Sequence, residues 1–167
     1  MHLHRVRGAY WRKPAYMVAK TQGTKMSKLQ TIIDDFEYLE DWEDRYRYLI
    51  EIGKALPAMP SAEQIDENKV KGCASQVWLV ADTEPGEQGD PVMVFRGDSD
   101  AHIVRGLVAI VLAATSGQKA SAVETLDEAA LMSQLGLGEH LSTQRANGLR
   151  SMVLRIKAHA AAARAAG

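Results

Sequence analysis

Gly72-Cys73-Ala74-Ser75-Gln76-Val77-Trp78-Leu79-Val80 holds the only cysteine of the 167-residue chain and its first strand-like run. Val70 to Val80 reads as extended on either side of the sulfur. Gly72 marks special backbone geometry or a close approach. Ser75 and Gln76 are poor core residues, so the stretch delivers a sulfur to a loop and then anchors that loop with a strand. Further on, Pro91-Val92-Met93-Val94-Phe95-Arg96 reads as a second strand, with Pro91 confined to its start. Between them Asp82 to Asp90, with Gly86 and Gly89, reads as a hairpin loop.

Helical patterns flank this centre. Ser27-x-x-Gln30 is a capping-box pattern, followed by Leu29, Ile32, Ile33 and Phe36 at helical spacing. Asp41 reads as the next N-cap, before a stripe of Trp42, Tyr46, Leu49, Ile50 and Leu56 that ends ahead of Pro57. Residues 57–68 are polar and proline-bearing, which predicts a surface loop. Gly97-Asp98-Ser99-Asp100 reads as the opening of an apolar helix carrying Ile103, Leu107, Ile110, Val111 and Ala114. Ser121-x-x-Glu124 and Asp127 begin two short helical pieces, the second ended by Gly136 and Gly138. Ser142 caps a long final helix with Leu149, Met152, Val153, Ile156 and Ala160 on one face and an Ala-rich end, 160–166, that is expected to fray. Helices, a short antiparallel sheet of about three strands, then helices make an α+β domain.

Composition sets limits. The chain carries 20 Lys/Arg and 21 Asp/Glu, a formal charge of −1, which gives no basis for a nucleic-acid binder. No apolar run is long enough to span a membrane. A single thiol excludes an intramolecular disulfide and suits a reducing, cytoplasmic setting. The charge is uneven, however. Residues 1–25 hold six Lys/Arg (Arg5, Arg7, Arg12, Lys13, Lys20, Lys25) and no acid, leaving 14 Lys/Arg against 21 acids in residues 26–167. This basic segment reads as a disordered tail or as sequence upstream of a start at Met26, and 26–167 as the domain.

Cys73 has two readings from the residues alone: a small buried hydrophobe, or a reactive thiolate. Asp98 and Asp100 either cap the following helix or belong to a site. Zinc or iron–sulfur binding needs several thiolates or imidazoles, and the five histidines show no pairing motif. A cysteine hydrolase needs an imidazole base. His102 and His140 are the histidines with a chance of approaching Cys73, and His159 reads as solvated. No Walker A or GxGxxG pattern is present.

Three blocks together resemble the SufE family of Fe–S metabolism associated, sulfur-acceptor proteins. They are Asn68-x-x-x-Gly72-Cys73-x-Ser75-Gln76-Val77-Trp78, Gly97-Asp98-Ser99-Asp100-Ala101-x-Ile103-Val104-x-Gly106-Leu107, and Leu141-Ser142-x-x-Arg145-x-x-Gly148-Leu149. The resemblance runs from about Met26 to about Ala163; Pro85–Gly89 lengthens the hairpin loop relative to it. It implies a SufE/IscU-like α+β sandwich and a carrier of sulfane sulfur. Cys73 would accept sulfur from a pyridoxal-phosphate cysteine desulfurase and pass it to an Fe–S scaffold. The pyridoxal phosphate would belong to the desulfurase, and this chain would bind no cofactor or metal. Gly72, Ser75 and Gln76 would shape the loop, and Asp98, Asp100 and Arg145 would surround it or meet the partner. Arg145 also reads simply as an exposed residue at a helix start, and Trp78 as a core anchor. Monomer and homodimer both remain open. The competing functions are a metal-binding scaffold of IscU-like fold and a cysteine hydrolase.

Deleting residues 1–25 is expected to leave the melting temperature nearly unchanged, because an all-basic stretch without an apolar stripe adds little to a core. A thermal melt of the truncated protein checks this.

Overall fold

A computed structural model of the chain describes residues 27–167; the basic segment 1–25 lies outside them. Ser27 caps α1, Lys28–Tyr38, its hydroxyl accepting from the Gln30 amide. The expected reciprocal bond is not made, because the Gln30 side chain donates along the helix to Asp34 at 2.9 Å. Asp41 caps α2, Trp42–Lys54, accepting from the Glu43 amide. Leu49 of the expected stripe is buried, while Tyr46 is 38% exposed and outside it.

The sheet is antiparallel with β2 in the middle. β1, Val77–Glu84, pairs with β2, Val92–Ser99, in a register from Val77 opposite Ser99 to Glu84 opposite Val92. β3 is the two-residue strand Gln118–Lys119 on the other side of β2. Both long strands outrun their local composition. The sequence pattern puts Asp82, Thr83 and Glu84 in the loop, but they pair with Val94, Met93 and Val92, and Arg96 of β2 approaches Asp82 at 3.8 Å. A ladder with an apolar partner and a cross-strand charge outweighs weak intrinsic propensity. The loop shrinks to residues 85–91, with a 3₁₀ turn at Glu87–Gly89. Upstream of β1 the expected extended run is interrupted: Val70 donates to the Val77 carbonyl, and residues between them form turns.

Gly97, Asp98 and Ser99 likewise belong to β2 rather than to a helix start. α3, His102–Thr115, begins after Ala101, and no side chain caps it there. The Asp98 carboxylate faces inward. It accepts from the amides of Met59 and Ser99 at 3.0 and 2.7 Å and sits 2.8 Å from Arg105 Nε. Met59 is buried by this contact, so the segment expected to be surface loop is pinned at that point.

α4 is Ala120–Glu124, α5 is Glu128–Gln134 and α6 is Thr143–Ala166. Asp127 and Ser142 cap α5 and α6 as their sequence predicts. Ser121 is not a cap: its amide and hydroxyl both donate to the Asp90 carboxylate, fastening α4 to the hairpin. The end of α6 stays helical, with Ala160 buried and Arg164 bonded to Glu124 at 2.7 Å.

α3 lies against β2 and crosses α2, and α6 meets α3, α4 and β1. The α2–α3 crossing depends on two glycines. A Cβ on Gly53 would lie 2.6 Å from the Gly106 nitrogen, and one on Gly106 would run into the Leu49 carbonyl. Backbone so close to backbone leaves no side chain to yield. Gly106→Ala is therefore expected to cost at least ~1–3 kcal/mol, the usual range for overpacking, seen as a lower midpoint in urea unfolding.

Candidate functional site

The cysteine loop is a short excursion with a closed base. The Val70 amide donates to the Val77 carbonyl at 2.8 Å, and Lys69 bridges to Trp78. Lys71 to Gln76 project beyond that base. Gly72 has φ of +92°, a left-handed conformation that other residues rarely adopt. Trp78 is 8% exposed and anchors the strand below, as expected.

Cys73 is half-buried and turned toward α6, where its thiol donates to the Gly148 carbonyl at 3.5 Å. Gly148 makes this approach possible. A Cβ there would stand 3.1 Å from the sulfur and 3.4 Å from the Cys73 Cα. Glycine in a helix interior costs about 1 kcal/mol relative to alanine, so the contact carries an energetic cost that other parts of the fold offset. A cavity of about 390 Å³ opens beside the thiol. Val104, Leu107 and Val108 of α3 and Leu149 and Met152 of α6 supply its apolar wall, and Ser75, Ser142, Gln144 and Arg145 its polar rim.

The structure gathers most of the expected residues. Ser75 and Arg145 line the cavity with Cys73. Gln76 is held by its backbone alone: its amide donates to Asp100 Oδ1 at 3.0 Å, and its carbonyl accepts from the Asp100 amide at 3.3 Å. Asp100 thus clamps the far limb of the loop and does not cap α3. Asp98 does not reach the loop; its partners are Met59, Ser99 and Arg105. His140 stacks on Trp42 with ring centroids 3.7 Å apart, and neither it nor His102 lines the cavity. His159 is half-buried rather than solvated, and burial, then the nearby Arg155 charge, holds its pKa below the ordinary value. Among the described residues no cluster of three His, Cys, Asp or Glu could hold a metal ion, and none of the described helices is long and apolar enough to cross a membrane.

Two groups escaped the sequence reading as site residues. Gly148 left a signal, since a lone glycine interrupts an otherwise strong helix. Arg155 left none. Its guanidinium donates to the carbonyls of Lys69 and Glu67 at 2.5 and 2.6 Å, bracing the near limb of the loop.

Residues 30–160 match the model of a family described as SufE, Fe–S metabolism associated domain. The chain belongs to the SufE family. It is 59% identical over 135 residues to an uncharacterised SufE-like protein of Rhizobium meliloti (strain 1021), covering 81% of this chain and 96% of that protein. It is 39% identical over 123 residues to the sulfur acceptor protein CsdE of Escherichia coli (strain K12), covering 74% and 81%. Among solved structures, a hypothetical protein from Thermus thermophilus superposes with a TM-score of 0.65 at 22% identity, over 81% of this chain and 94% of that one. That likeness concerns the fold, a small three-stranded antiparallel sheet with helices.

Burial pushes the Cys73 pKa above the ordinary thiol value of 9.0. Desolvation disfavours the charged thiolate. The unfolded chain therefore ionises at lower pH than the folded one. The thiol's contribution to stability is complete below the unfolded value and is lost as pH rises through the folded value. Iodoacetamide alkylation of the native protein is expected to show a pH midpoint above that of the same protein in denaturant, and coincident midpoints would contradict it.

Proposed function

We propose that the chain is a sulfur carrier whose Cys73 accepts sulfane sulfur from a cysteine desulfurase and passes it on toward Fe–S cluster assembly. The observation that carries this reading is the lone thiol, sheltered at the tip of a loop closed at its base and set beside a cavity. Membership of the SufE family and 39% identity to a protein named as a sulfur acceptor support it.

In the transfer, the Cys73 thiolate attacks the outer sulfur of a persulfide on the donor cysteine. A new S–S bond forms on Cys73, the donor's S–S bond breaks, and the donor sulfur leaves as a thiolate. No net oxidation occurs. The pyridoxal phosphate that generates the donor persulfide belongs to the desulfurase. One thiol suits a carrier, because a second on the same chain would resolve the persulfide into a disulfide. The protonated, half-buried resting state limits idle oxidation, which follows thiolate character and exposure. Delivery then requires the loop to leave α6, with the desulfurase selecting the open form by binding it better. Asp100 holds one limb of the loop in the resting form, and Arg145 lies where it can favour the emerging thiolate or contact the partner. The carrier works in the cytoplasm, with an Fe–S scaffold as the recipient.

Incubation with a cognate desulfurase and cysteine is expected to add sulfur to Cys73, read by intact mass. Cys73→Ser is expected to abolish both the mass gain and the stimulation of cysteine turnover while retaining the wild-type circular dichroism spectrum, since serine is close in size. Full stimulation by the serine variant would overturn the proposal.

A further inference from the structure

Gly148, Ser151 and Arg155 stand at i, i+3 and i+7 on α6, so they form one stripe along a single helix face. Each meets a successive part of the cysteine loop. Gly148 receives the Cys73 sulfur at its bare Cα and accepts its proton on the carbonyl. Ser151 lies against Gly72, where a Cβ would come within 2.8 Å of the hydroxyl oxygen. Arg155 grips the carbonyls of Lys69 and Glu67 with two different nitrogens. The near limb of the loop is thereby laid along this face of the helix. The glycines alternate between the two surfaces: Gly72 on the loop opposite Ser151, and Gly148 on the helix opposite Cys73.

We propose that this stripe is the seat of the cysteine loop, and that Arg155 is a positioning residue which sets how often Cys73 is available for transfer. The planar fork of Arg155 matches two neighbouring carbonyls, an arrangement that a lysine cannot reproduce. It acts at the root of the loop's near limb and touches neither the sulfur nor the cavity. Its removal frees that limb while Asp100 still holds the other. At the tip, Gly148 fixes how deep the sulfur sits. A methyl group there lifts Cys73 off the helix without touching the limbs. The consequence for sulfur transfer rests on the carrier reading above; the seat itself does not, because thiol accessibility is measured without a desulfurase.

The test uses the full chain with Arg155→Ala, Arg155→Lys and Gly148→Ala. The first measurement is the rate of Cys73 alkylation by iodoacetamide under native conditions. Loss of hydrogen bonds to a charged group typically shifts an equilibrium about tenfold or more, and a rise of that order is expected for Arg155→Ala. Arg155→Lys should lie between it and wild type. Gly148→Ala should also alkylate faster, although alanine is the better helix former, so its faster reaction is not explained by a weakened α6. A wild-type rate in both alanine variants overturns the seat.

The pH profile separates release from the direct effect of the lost charge. Losing a positive charge would not by itself lower the thiol pKa, because cations favour the thiolate. Release into water lowers it. A midpoint that moves down in Arg155→Ala therefore reports release, and one that stays or rises overturns it. The last measurement adds a desulfurase. If the seat limits delivery, Arg155→Ala lowers the carrier concentration needed for half-maximal stimulation, since less of the protein is held in a non-competent state, and the maximal rate is unchanged. Faster alkylation with an unchanged half-maximal concentration overturns the link to delivery. Sulfur transfer absent even from wild type counts against the carrier reading and leaves the alkylation result standing.

Discussion

A charge buried at the end of a strand organises this domain. Asp98 is 6% exposed, and a carboxylate so far from water has to be matched by donors. Two amides donate to it, Met59 after α2 and Ser99 on its own strand, and Arg105 one turn into α3 supplies the opposite charge at 2.8 Å. Arg105 in turn donates to the Leu56 carbonyl at 2.7 Å. One side chain thus ties the end of α2, the last residues of β2 and the start of α3 into a single corner. Removing one member of such a pair typically costs about 3–5 kcal/mol, because the other charge is left unmatched. The corner is also where Asp100 emerges to meet Gln76, so rigidity inside the domain is passed to the loop outside it.

The second constraint is proximity. The crossing of α2 over α3 at Gly53 and Gly106 draws α3 in, and Gly148 lets the thiol come down onto α6. Between these close approaches, α3 and α6 leave the apolar space beside Cys73. An apolar hollow next to a sulfur raises the cost of ionising it, which connects helix packing to chemistry: the same geometry that closes the core keeps the thiol protonated. The thiol's setting is therefore assembled from a loop that carries the sulfur, a helix that supplies its bed, and a corner that supplies the restraint.

Much of this is readable in the sequence where the determinants are local. The caps at Ser27, Asp41, Asp127 and Ser142 use side chains within three residues of their amides, and each forms. The loop around Cys73, its glycine and its anchoring tryptophan also follow from adjacent residues. What escapes depends on partners far away in the chain. Gly97-Asp98-Ser99 carries the composition of a helix start, yet Leu79, Trp78 and Val77 draw it into the sheet. Asp82 to Glu84 look like loop until the opposite strand is in place. β3 is two residues of no strand character, made a strand by the edge of β2. Arg155 reaches carbonyls 86 and 88 residues earlier, and no local pattern announces such a pairing. Asp98 and Asp100, two residues apart, read alike in sequence; in the folded chain one faces the interior and the other the loop.

The hairpin has a further implication for work with this protein. β1 leaves the cysteine loop at Val77 and reaches its turn at Glu84, seven steps along the strand, about 23 Å away at ~3.3 Å each. In the turn that follows, Gln88 takes a left-handed conformation and Gly89 is open to solvent on the side a Cβ would occupy. Added length at such a tip costs little closure entropy. A fluorophore or affinity handle grafted between Gly86 and Gly89 would thus sit at the opposite end of the sheet from the thiol, and surface immobilisation through it would leave the cysteine loop turned toward whatever is flowed past.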